Sequence, residues 1–137
     1  MSNVGELDRI RRFIRANPQL HDQNVYACGT VGCIAGWAKA LEVGLGAGDD
    51  IALELHRIRM FSHVRGFDFQ EWVYAEGQRI LGLSDVDARA VFILSGYENA
   101  ALELVDAIID RDKGELTVAG RAVLTDWDLP TEPAGDS

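Results

Sequence analysis

Hydrophobic residues recur at helical spacing along most of the chain. Val4, Leu7, Ile10 and Ile14 form one stripe, with Asn3 and Glu6 at capping-box spacing before it and Asn17-Pro18 after it, which predicts a helix over residues 3–16. Arg9, Arg12 and Arg15 fall towards its other side as a solvated face. Residues 19–29 read as a connecting loop. A second helix is predicted from a Thr30 cap to Val43, before the Gly-rich run at 44–48. Lys39 and Glu42 are its only charges, so it should be buried around much of its circumference, and Gly32, Gly36 and Ala40 offer a face for close helix approach.

Asp49 or Asp50 caps a third predicted helix, with Ile51, Leu55 and Ile58 inward. Asp68 and Glu71 frame the start of a fourth, carried by Phe69, Trp72, Val73 and Ile80 and stopped by Gly82. Ser84 opens a fifth, whose apolar positions are Val86, Val91 and Leu94. A sixth spans residues 98–113 on Leu102, Val105, Ile108 and Ile109, with Asp106, Asp110 and Asp112 on an acidic face. Two short apolar runs over 115–124 flank Ala119-Gly120 and fit either a small β-hairpin or a further helical turn. The expected fold is mainly α, an irregular or orthogonal bundle of about five or six helices. A small C-terminal β-hairpin stays open as an addition to it. One domain over residues 1–129 is expected, with a mobile tail at 130–137 that contains Pro130 and Pro133.

Composition narrows this further. The 137 residues, 47% hydrophobic and 26% charged, suffice for one domain with a core that needs no disulfide or metal staple. No apolar run reaches the roughly 18 residues of a membrane span, and Glu6 and Asp8 stand where a signal peptide would be apolar. A cytoplasmic location follows, in which the two cysteines are reduced thiols. The net charge of -9 is uneven: residues 1–67 carry 8 Lys/Arg against 7 Asp/Glu, whereas residues 68–137 carry 5 against 15. Such an acidic half repels phosphates and favours a basic protein partner, or serves only solubility. Nucleic acid and membrane are therefore not expected partners.

The segment Cys28-Gly29-Thr30-Val31-Gly32-Cys33-Ile34-Ala35-Gly36-Trp37-Ala38, followed by Arg79-Ile80-Leu81-Gly82-Leu83-Ser84, Ala88 and Val91-Phe92, resembles a group of small uncharacterised proteins encoded by actinobacteria and their phages. The resemblance covers the middle two thirds of the chain. It implies a phage or prophage origin, hence a host cytoplasm, and carries over no catalytic residue.

Cys28 and Cys33 admit four readings. Both can be small packing residues. Together with two of His21, His56 and His63 they can supply the four ligands of a zinc ion, although Cys-x4-Cys and His-x6-His are wide spacings. Cys28, beside a helix N-terminus, can be a nucleophile with a histidine base oriented by Asp49, Asp50 or Asp68. The two can also form a disulfide, which a reducing compartment opposes.

Basic and aromatic residues interleave at Arg57, Arg59, Met60, Phe61, His63, Arg65, Phe67 and Phe69. This is a docking patch for a protein, a stacking surface for nucleic acid, or a core edge with snorkelling arginines. The run Gly44-x-Gly46-x-Gly48 follows a helix and lacks the lysine of a phosphate loop, so no cofactor is expected. The sequence thus points to a non-enzymatic phage-type or accessory protein that binds and modulates a host protein through its acidic half or the patch at Arg57, Arg59, Phe61, His63, Arg65 and Phe67. A cysteine-dependent hydrolase or transferase using Cys28, and an acidic mimic of DNA, are the alternatives.

Overall fold

The computed structural model describes residues 2–21, 33–60, 68–94 and 100–133, and within them every regular element is a helix. They are α1 Val4–Ala16, α2 Ile34–Glu42, α3 Ile51–Met60, α4 Phe69–Leu81, α5 Asp85–Arg89, α6 Ala100–Lys113 and α7 Val118–Asp126. A 3-10 turn, Pro18–Leu20, follows α1, and a π-helical turn, Ala90–Leu94, prolongs α5.

Side-chain caps set most of the boundaries, because the first N–H groups of a helix have no partner within it. Asn3 accepts from the Glu6 N–H at 3.2 Å, Asp68 from Glu71 at 2.7 Å, and Ser84 from Asp87 at 3.2 Å. Asp50 likewise accepts from the Leu53 N–H at 3.1 Å. Gly82 closes α4 at φ +63°, in the left-handed region. A Cβ there would stand 2.9 Å from the Asn3 nitrogen, whose N–H donates to the Leu81 carbonyl at 2.8 Å. Glycine thus lets the start of α1 sit on the end of α4.

Two boundaries correct the sequence reading. Cys33, at φ -81° and ψ 178°, is extended and is itself the cap of α2, its sulfur accepting from the Gly36 N–H at 3.4 Å. The helix that contains Trp37 therefore does not run back to Thr30. Over the C-terminal segment the hairpin gives way to its helical alternative, α7. Thr117 accepts from the Gly120 N–H at 2.9 Å, and Leu124 is turned fully inward.

The core surrounds α2, whose residues Ile34 to Ala40 are all buried. Its closest neighbour is α4, and their approach is set by Gly77: a Cβ on that residue would stand 2.7 Å from the Cβ of Ala35. Trp37 is sealed beneath α1, with its indole N–H donating to the Leu20 carbonyl at 2.7 Å and its ring 4.6 Å from that of Phe13. Lys39 is buried as well. Its ammonium lies 5.7 Å from the Trp72 ring centroid and bonds Glu42 and Glu76 at 3.1 Å each. Arg79 bonds the same two carboxylates. Burial works to raise both carboxyls, but the hydrogen bonds from Arg79 and Lys39 outweigh it and hold them below the usual range.

A second buried charge joins distant parts of the chain. Arg111, 2% exposed, donates to both oxygens of Asp87 at 3.3 and 2.8 Å, to both oxygens of Asp112 at 2.9 and 3.3 Å, and to the Pro130 carbonyl at 3.1 Å. Asp112 also accepts from the backbone N–H of Ser2 at 3.2 Å and from its hydroxyl. Burial disfavours the charged forms, yet the hydrogen bonds win: the Arg111 pKa lies above its ordinary value and that of Asp112 below.

This cluster overturns two sequence expectations. Asp112 belongs to the interior and not to an acidic face, and α5 is rotated so that Asp87 and Ala88 are buried while Val86 is 53% exposed. A guanidinium fixed inside the core requires carboxylates to reach it, so the polar Asp87 takes the inward position that hydrophobicity assigned to Val86. Asp106 also leaves the acidic surface, bonding Arg11 at 2.9 Å and Arg15 at 2.5 Å on α1.

Two substitutions test this packing. Gly77→Ala should lower stability, since overpacking of about 1–3 kcal/mol exceeds the roughly 1 kcal/mol of helix propensity it adds. Ala35→Gly in the same chain should restore part of the loss in urea denaturation. Arg111→Met should cost about 3–5 kcal/mol at pH 7, because Asp87 and Asp112 are left buried without their cation. The wild-type contribution of Asp112, whose folded pKa is lowered, is complete above the ordinary carboxyl value of about 4 and is lost as the pH falls through the folded value. In Arg111→Met burial instead raises the Asp112 carboxyl, so its deficit should be smaller at pH 4 than at pH 7.

Candidate functional site

The residues singled out in the sequence fall into three places. Cys28, Phe61, His63, Arg65 and Phe67 lie outside the described residues. Cys33 is fully buried as the cap of α2, and His21 follows the 3-10 turn after α1. On α3, His56 stacks on Phe69 at 3.7 Å between centroids, Arg57 pairs with Glu54 at 3.3 Å, and Arg59 is half-buried. The structure therefore does not bring Cys33, His21 and His56 together. Among the described residues no group of three or more His, Cys, Asp or Glu is arranged to hold a metal ion. No helix of the described residues is long and apolar enough to cross a membrane.

A concave surface lies elsewhere among the described residues, between α4 and the α5–π-turn segment. These two form a helical hairpin about Gly82, and their outer sides leave a groove of about 440 Å³. The wall on α4 consists of Glu71, Tyr74, Ala75 and Gln78, and the wall on α5 begins with Asp85, Ala88, Arg89 and Phe92. The α4 set has i, i+3, i+4, i+7 spacing and Asp85, Ala88 and Arg89 have i, i+3, i+4 spacing on α5, which places each set along one helix face, with Phe92 following in the π turn. At the hairpin end the groove is closed by Gln78, whose amide donates to Asp85 at 2.7 Å and to the Leu83 carbonyl at 3.2 Å. Its floor is the stacked pair Tyr74 and Phe92, 5.8 Å between centroids and nearly parallel at 15°.

The π-helical turn explains the shape of the second wall. A π turn inserts an extra residue into the helical repeat and shifts the side chains that follow, and such turns concentrate at functional sites. Here Phe92 turns inward to 2% exposure while the adjoining Ile93 stands on the rim, 54% exposed. An apolar floor with an exposed isoleucine at its edge suits a ligand with a matching apolar face. Glu71 and Arg89 border it with side chains that make no hydrogen bond or ion pair among the described residues.

Sequence periodicity did not single out these residues, because Tyr74 and Ile93 lie off the inward stripes of their helices. An aromatic and a β-branched apolar residue outside the predicted core face were the available signal. A π turn has no comparable composition cue.

Substitution should separate the rim of the groove from its floor. Ile93→Asp should change unfolding free energy by no more than about 0.5 kcal/mol, as expected for an exposed position. Phe92→Ala should lose about 3–5 kcal/mol; both are read by urea denaturation.

Comparison with known proteins brings no family to this geometry: no family model, no curated protein and no solved structure matches the chain.

Proposed function

We propose that this chain is a binding protein that docks a protein partner in the groove between α4 and α5. The observation that carries the reading is the groove itself, where an exposed Ile93 stands beside the half-buried Tyr74 and over the inward-turned Phe92. A concave, mostly apolar lining with a few polar groups at its edge is the usual form of a binding site. The basic stretch on α3 is the second docking surface. In its described part Leu53 and Met60 are 49% and 78% exposed at i, i+7 spacing, with Arg57 between them on the same face. The resemblance carried by residues 28–38 adds that the protein is of actinobacterial or phage type and that the partner is a host protein.

A photo-crosslinking residue placed at position 93 tests the assignment, with position 118 as the control because Val118 is 90% exposed and lies on another helix. In the cell that makes the protein, position 93 should yield a discrete protein adduct that position 118 does not. Ala75→Arg, which plugs the groove from an exposed position, should abolish it. An adduct indifferent to Ala75→Arg, or none from position 93, removes the groove as the docking site.

A further inference from the structure

We draw no further inference here: the strongest candidate, the indole N–H of Trp72, buried on α4 beside the Lys39 ammonium without a hydrogen-bond partner among the described residues, lines neither the groove nor the polar cavity at Arg9 and Arg79, and nothing in the structure shows what would accept from it.

Discussion

The buried guanidinium of Arg111 organises this fold. Moving a cation out of water is costly, and the cost is offset only where carboxylates and carbonyls surround it with good geometry. Here Asp87 comes from α5, Asp112 from α6 itself, and the Pro130 carbonyl from the segment after α7, while Ser2 satisfies Asp112 from the N-terminal side of α1. Elements far apart in sequence thereby share one polar centre, and the rotation of α5 is decided by it. With Asp87 turned towards Arg111, the neighbouring stripe of Asp85, Ala88 and Arg89 borders α4, and Val86 is left outside. The groove is thus a consequence of an ion pair on the opposite side of a short helix.

The other wall depends on a steric constraint. Gly77 allows α4 to rest on Ala35 of α2 with no intervening side chain, and it is also where the Phe92 ring tucks in, 3.2 Å from the position a Cβ would take. On the same helix, Glu76 and Arg79 complete the Lys39 network, whereas Glu71, Tyr74, Ala75 and Gln78 line the groove. Thus α4 serves the core, a partly buried charge network and the groove through adjacent faces. The π turn then places Phe92 and Ile93 on opposite sides of the boundary between core and solvent.

These arrangements change the meaning of the acidic second half. Asp87 and Asp112 are consumed inside the protein, and Asp106 is matched by Arg11 and Arg15. Part of the charge that composition assigns to a partner surface therefore stabilises the fold. What remains at the groove is one cation, Arg89, and two anions, Glu71 and Asp85, beside Tyr74 and Ile93, which supports recognition by shape and by a few placed charges over attraction by bulk field.

The helical class, the starts at Asn3, Asp68 and Ser84, the stop at Gly82 and the inward residues of α1 and α4 were legible in the sequence. They depend on local chemistry: a capping oxygen within three residues, a glycine free to adopt positive φ, and a stripe repeating with the helix. Burial of the helix around Trp37 was equally legible from its near lack of charge. Its start at Cys33 was not, because one extended residue carries no marked propensity. Nor were the inward turn of Asp87 and Asp112, the contact of Gly77 with Ala35, or the pairing of Tyr74 with Phe92. Each requires two segments to meet, and the partner of a buried charge or a missing Cβ is chosen by packing in three dimensions. The groove belongs to this second kind: the sequence supplies its two helices, and only the tertiary structure decides which of their faces stay uncovered.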